Sequence, residues 1–260
     1  MAVRRVMAAR HLQRVAGRPL TPAEARRGVD GLLVSYARYW AESLRLPSLA
    51  DEQVAAAVTC HGLEHLDAAL AAGTGAVAAL PHLGGWDWGG RWVVGTGRPA
   101  TVVVEALRPP EVFEWFADLR RRAGLEVVAV GPGAGEAGLR ALRDNRILCL
   151  LCDRAVGEAS TVEVTFFGER TRLPAGPVTL ALRTGAPLLP IAVYLEKGGG
   201  HVVDIRPPIE LTRRGRFRDD VADGTQQLAA ALERLIRAAP TQWHLLQPNW
   251  PSDRAPGQPT

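Results

Sequence analysis

The stretch Ala76-Val77-Ala78-Ala79-Leu80-Pro81-His82-Leu83-Gly84-Gly85-Trp86-Asp87-Trp88-Gly89-Gly90 decides how the rest of this 260-residue chain is read. Its first five residues are an unbroken apolar run, as expected of a strand covered on both faces. Pro81 and the glycines then turn the chain, and a helix follows. In an α/β sheet the carboxyl ends of the strands are where ligands bind. Glycines there let the backbone turn sharply and approach a ligand closely. His82 sits at such an end, and an imidazole is a general base near neutral pH. Asp87 lies five residues on; a turn, not a regular helix, would bring the two together.

Strands and helices alternate on the downstream side. Strands are predicted over 101–106, 126–130, 147–152, 187–195 and 201–205, and helices over 111–123, 136–145, 177–184 and 220–238. Apolar strands in alternation with helices predict an α/β fold with a central, mostly parallel sheet flanked by helices. Upstream, the first seventy residues read as helical. Thr21-Pro22-Ala23-Glu24 is a capping box with proline at the first helical position. Leu32, Leu33, Tyr36, Tyr39, Trp40 and Leu44 recur at helical spacing, as core or as an interfacial face. A further helix is predicted over 50–72, ended by Gly73. Residues 1–72 are therefore assigned to an N-terminal helical segment, 73–250 to the α/β core and 251–260 to a disordered tail.

Composition narrows the classes. Apolar residues make up 47% and charged residues 22%, which excludes general disorder. The net charge of +4 is too small to imply nucleic-acid binding. Lys197 is the only lysine, so the remaining basic groups are arginines, which grip phosphate and carboxylate bidentately. Three cysteines make no disulfide framework, and Cys149 and Cys152 read as buried thiols. No apolar run approaches the ~20 residues of a membrane span, and the N-terminus does not read as a secretory signal.

Other groups fall at the same sheet edge by pattern. Asp153 ends a strongly apolar strand and precedes Arg154; it is a site residue or a carboxylate capped by that arginine. Glu105 and Arg108 follow another strand, facing the site or pairing with each other. Arg120, Arg121 and Arg122 form a solvated face or a phosphate contact. Gly133-Ala-Gly135-Glu-Ala-Gly138 has dinucleotide-loop spacing but no acidic residue at the expected distance, and reads as a glycine-rich connection. His61 and His65 have zinc spacing without further ligands nearby.

Several blocks together resemble one family. Pro81-His82-Leu-Gly-Gly-Trp-Asp87 looks like the first motif of the lipid A biosynthesis acyltransferases, within the glycerolipid acyltransferase superfamily. Cys152-Asp153-Arg154, Val162-Glu163-Val164-Thr165-Phe166-Phe167-Gly168-Glu169 and Leu173-Pro174-Ala175-Gly176-Pro177 look like its later blocks. Pro187-Leu-Leu-Pro190-Ile191 and Ala239-Pro240-Thr241-Gln242-Trp243-His244 also fit. The resemblance spans roughly residues 30–250 and is strongest to the actinobacterial branch that acylates phosphatidylinositol mannosides. Gly85 departs from it, standing where much of the family has asparagine.

The resemblance implies an acyl-CoA co-substrate, an anionic glycolipid acceptor and no bound cofactor or metal. It implies peripheral attachment at the cytoplasmic face of the plasma membrane. His82 would take the acceptor's proton, Asp87 would orient His82, and Asp153 would assist the base or bind the acceptor sugar. Glu105, Arg108, Arg120, Arg154 and Glu163 would contact substrate. Two other classes remain open at this point: a metal-dependent hydrolase using His82, Asp87 and Asp153, and a non-catalytic lipid-binding homologue.

Overall fold

The computed structural model describes residues 2–106, 108–156 and 160–254. Two helices, α1 (Ala2–Ala16) and α2 (Pro22–Arg45), precede the sheet. The capping box at Thr21 forms as expected: Thr21 Oγ1 accepts from Glu24 N at 3.3 Å and the Glu24 carboxylate accepts from Thr21 N at 2.8 Å. The core then runs α3 (Asp51–Ala56), β1 (Val58–His61), α4 (Leu63–Ala71), β2 (Ala76–Leu80), α5 (Trp86–Gly95), β3 (Ala100–Val104) and α6 (Pro110–Arg122). It continues through β4 (Glu126–Ala129), α7 (Ala134–Arg143), β5 (Ile147–Leu151), β6 (Thr161–Phe166), β7 (Glu169–Pro174), α8 (Gly176–Thr184), β8 (Leu188–Leu195), β9 (His201–Ile205) and α9 (Phe217–Ala238).

Seven strands form one sheet in the order β1-β9-β8-β2-β5-β3-β4. Every pairing is parallel except β8 with β9. β2 lies inside the sheet with all five residues buried. Its side chains divide by the two-residue period of a strand. Val77 and Ala79 join the core under α8 and α9, whereas Ala76, Ala78 and Leu80 join the core under α5. The strand therefore anchors the turn that follows it from both faces.

Three expectations are corrected. Residues 50–72 are not one helix, because β1 interrupts them and pairs with β9. Val58 and Thr59 favour a strand, and Gly62 takes φ 75° at the end of it, where a Cβ would sit 2.0 Å from Ile205 O. The hairpin of β6 and β7 was not expected as strands. Phe167 (φ 50°) and Gly168 (φ 77°) form its two-residue turn, the positive-φ pair that matches strand twist. Finally, the tail is ordered through Arg254. Pro251–Asp253 is a short 3₁₀ turn, and Asp253 is buried against His11 and Arg14. Residues 255–260 lie outside the described residues.

Candidate active site

His82 follows β2 and Asp153 follows β5, the strand paired with it, so sheet register alone brings them together. His82 Nδ1 donates to Asp153 Oδ1 at 2.6 Å, and the His82 backbone N–H donates to Oδ2 at 3.0 Å. The indole of Trp243 donates to Oδ2 at 2.7 Å, and Asn249 Nδ2 donates to the Asp153 carbonyl at 2.9 Å. Asp153 is fully buried. Burial pushes its carboxyl upward, but His82 and the Trp243 indole outweigh that and hold it below the usual carboxylate range. A carboxylate only accepts, so Nδ1 carries a proton, and in the neutral imidazole Nε2 keeps its lone pair. Nε2 has no hydrogen bond among the described residues, and the His82 side chain retains 17% exposure.

Asp87 is placed differently from expectation. It does not hydrogen-bond His82. Arg120 Nε and Nη2 donate to its two oxygens at 2.9 and 3.1 Å, and Tyr39 Oη donates to Oδ2 at 2.6 Å. The carboxylate thus ties α5, α6 and α2 together. Burial and then the Asp87 charge raise the Tyr39 hydroxyl well above its ordinary value, so it remains a donor. Asp87 does not join His82 and Asp153 in a cluster that could hold a metal ion, and no such cluster occurs among the described residues.

The arginine run splits. Arg120 is inward, while Arg121 and Arg122 pair with Glu114 and Asp118 on the outer face of α6. Glu105 pairs with Arg154, not with Arg108, and Arg108 is exposed nearby. Glu163 lies exposed on the β6–β7 hairpin, paired diagonally with Arg170, and is not brought to His82. The Phe166–Phe167 corner is buried and packs on Trp243 and Trp250.

Two cavities share Val103, Leu150 and Leu151 in their walls. The first, about 90 Å³, lies between the sheet and α5, lined by Trp86, Gly89, Gly90, Leu125, Cys149 and Val193, with Asp87 and Arg120 as its polar groups. Trp86 links it to the base, its ring 5.6 Å from that of His82. Cys149 faces this cavity, and burial pushes its thiol up to about 12, so it stays protonated. The second, about 630 Å³, lies beyond β3 and β5 and is lined by Glu105, Arg154, Gly131, Gly135 and Leu180. The glycine-rich run is thus a cavity wall and a packing site: a Cβ on Gly138 would press Leu148 and Leu180 at 3.2 Å.

Gly85 has a structural reason. A Cβ there would meet His201 Cδ2 at 2.8 Å and Leu195 Cδ2 at 3.2 Å. His201 is fully buried, stacked on Trp88 with ring centroids 4.3 Å apart, and its Nε2 hydrogen-bonds Glu42 at 3.0 Å. Asn249 carries no signal in the sequence pattern. Tyr39 falls in the helical stripe read as core or as an interfacial face, and Trp243 in a family block.

The profile of the bacterial lipid A biosynthesis acyltransferases matches residues 2–252. A phosphatidylinositol mannoside acyltransferase of Mycobacterium tuberculosis is 43% identical over 226 residues, covering 85% of this chain and 69% of that protein. One of Mycolicibacterium smegmatis is 40% identical over 248 residues, covering 94% and 79%. The paired carboxyl edges of β2 and β5, with these matches along nearly the whole chain, make the protein a member of the bacterial lipid A biosynthesis acyltransferase family.

Proposed function

We propose that the protein transfers a fatty acyl chain from acyl-CoA to a hydroxyl of a phosphatidylinositol mannoside, using His82 as general base without an acyl-enzyme. The observation that carries this reading is the open Nε2 of His82, backed by Asp153 and set beside an apolar cavity through Trp86.

In this scheme the acceptor O–H gives its proton to His82 Nε2. The oxygen attacks the thioester carbonyl, the carbon–sulfur bond breaks, and the departing thiolate of coenzyme A takes the proton back from His82. Asp153 holds the tautomer and stabilises the transient imidazolium, the work a carboxylate does behind a catalytic histidine. A serine or cysteine nucleophile is not required. The cavity of about 90 Å³ could hold a handful of waters at roughly 10–15 Å³ each, yet its lining offers them few polar partners. A methylene chain suits it better. The cavity bearing Glu105 and Arg154 suits a polar headgroup or the coenzyme A arm.

Attachment to the cytoplasmic face of the membrane belongs to the same proposal. Among the described residues no helix is long and apolar enough to cross a membrane. An aromatic series, Trp86–Tyr39–Trp40–Phe116–Trp115, runs from beside His82 to the exposed Trp115, with ring centroids 3.9 to 5.3 Å apart. Aromatic side chains of that kind suit a headgroup boundary.

The test is incubation with radiolabelled palmitoyl-CoA and total lipid from the source organism. A labelled glycolipid that disappears with His82→Ala supports the reading and yields the acceptor. Equal labelling by both proteins overturns the role of His82. Label released only as free fatty acid favours hydrolysis.

A further inference from the structure

We infer that Trp243 is a positioning residue for acyl transfer, its indole N–H fixing Asp153 so that Asp153 can align His82. The inference rests on the reading of His82 and Asp153 as the working pair.

A carboxylate turns easily about its last torsion, whose wells are broad. Asp153 is held from turning by what its second oxygen receives. Oδ1 is committed to His82 Nδ1 at 2.6 Å, while Oδ2 takes the Trp243 indole at 2.7 Å and the His82 backbone N–H at 3.0 Å. The indole is the only side-chain donor to Oδ2 among the described residues. The other groups facing Asp153 are the Cys152 thiol, kept neutral by burial, and Asn249, which binds its carbonyl.

Trp243 is itself rigidly seated. It is 1% exposed and packed by His11, Phe166, Phe167 and Trp250. Its backbone bridges Leu83, and the next residue, His244, donates its N–H to the His82 carbonyl at 2.7 Å. One short segment therefore grips both members of the pair. Below it, His11 Nδ1 contacts the Leu245 carbonyl at 2.9 Å and Arg14 meets Asp253 at 2.8 Å, fastening the segment to α1. If packing alone were needed at 243, an aromatic ring without a polar atom would serve; a buried tryptophan is favoured where its N–H reaches a partner.

Trp250 supplies a matched control. It is equally buried, and its indole donates to the Phe166 carbonyl at 3.2 Å, away from the pair. Trp243→Phe and Trp250→Phe each delete one indole N–H from the same aromatic cluster. The experiment compares both with wild type and His82→Ala, measuring acyl transfer from palmitoyl-CoA and the pH profile of kcat/KM. We expect Trp243→Phe to lose tenfold or more in kcat with KM changed less than threefold. Its acid limb, which reports the base His82, should move to lower pH, because a carboxylate no longer held on Nδ1 favours the imidazolium less. Trp250→Phe should lose less than twofold in kcat and keep the limb in place.

Equal kcat losses in the two variants with an unmoved acid limb would overturn the inference. If His82→Ala transfers at the wild-type rate, the underlying reading falls as well; an inactive His82→Ala beside an unimpaired Trp243→Phe sinks the positioning role alone. Should Trp243→Phe fail to fold, benzothienylalanine incorporated at 243 keeps the indole shape without the N–H and decides the question by the same two readouts.

Discussion

Two histidine–carboxylate pairs flank one glycine turn, and only one of them leaves a ring nitrogen open to a substrate. His82 with Asp153 and His201 with Glu42 lie either side of Gly84–Gly85. His82 spends Nδ1 on its carboxylate and leaves Nε2 open at a surface with 17% side-chain exposure. His201 spends Nε2 on Glu42, is sealed under Trp88, and keeps an Nδ1 that is buried without a partner. The chemistry of such a pair is set by which nitrogen remains free and whether a substrate can reach it. The second pair holds the turn; the first can work from it.

The largest effect that would sharpen this contrast is on rate. His82→Ala should cut acyl transfer by ~10²–10⁴ or more, the usual worth of a general base, and should also lower stability, because the buried Asp153 loses its partner. His201→Ala should act on stability alone, lowering it by about 2–5 kcal/mol through the cavity it leaves under Trp88, while Glu42 keeps Arg38 as a partner. Its rate per folded molecule should fall less than tenfold. Paired rate assays and denaturation curves decide this, and a rate loss as large for His201→Ala as for His82→Ala would break the contrast.

Asp87, like His201, is enclosed by partners and makes no bond to His82. Its carboxylate receives Arg120 and Tyr39, all three buried or nearly so. Asp87→Asn should cost about 2–4 kcal/mol by leaving the guanidinium without its counter-charge. The acid limb of the pH–rate profile should stay where it is, since Asp87 makes no bond to His82. A moved limb with unaltered stability would restore the orienting role expected from the sequence.

The pH dependence of stability gives a smaller, separable signal. Burial, with His82 nearby, pushes His244 down to about 3, against ~6.5 for a free imidazole. The unfolded chain binds that proton more readily, so stability rises with pH. The contribution is complete above about pH 6.5 and is lost progressively as pH falls toward 3. Its full extent is on the order of 2–5 kcal/mol. Urea denaturation from pH 7 to 4 should show a steep decline that His244→Gln flattens; an unchanged slope in the variant would place the decline elsewhere.

What the sequence made legible follows from these physical differences. The apolar runs at 76–80 and 147–152 announced two buried strands, and parallel pairing then delivered His82 and Asp153 to one edge. The partner of His82 was not legible, because nearness in sequence favoured Asp87 while register favoured Asp153. Trp243 supports the pair from ninety residues beyond Asp153, a distance over which no local pattern carries information. β1 was hidden for another reason: four edge residues with alternating exposure give too short a signal against two flanking helices.

Gly85 offers the finest test of how the two pairs share the turn. Its φ of −103° suits any residue, so backbone strain is not what excludes a side chain. The obstacle is the His201 ring, with Cδ2 2.8 Å and Nε2 3.1 Å from where a Cβ would lie, and then Leu195 Cδ2 at 3.2 Å. Gly85→Ala should therefore destabilise by about 1–3 kcal/mol, the ordinary cost of overpacking. In a His201→Ala background that cost should vanish, giving a coupling energy nearly equal to the single-variant penalty. A penalty that persists undiminished would identify Leu195 as the real obstacle and separate the two histidines. A penalty that vanishes would mean that the buried pair occupies the room a side chain at position 85 would need, and that the position of His82 depends on His201.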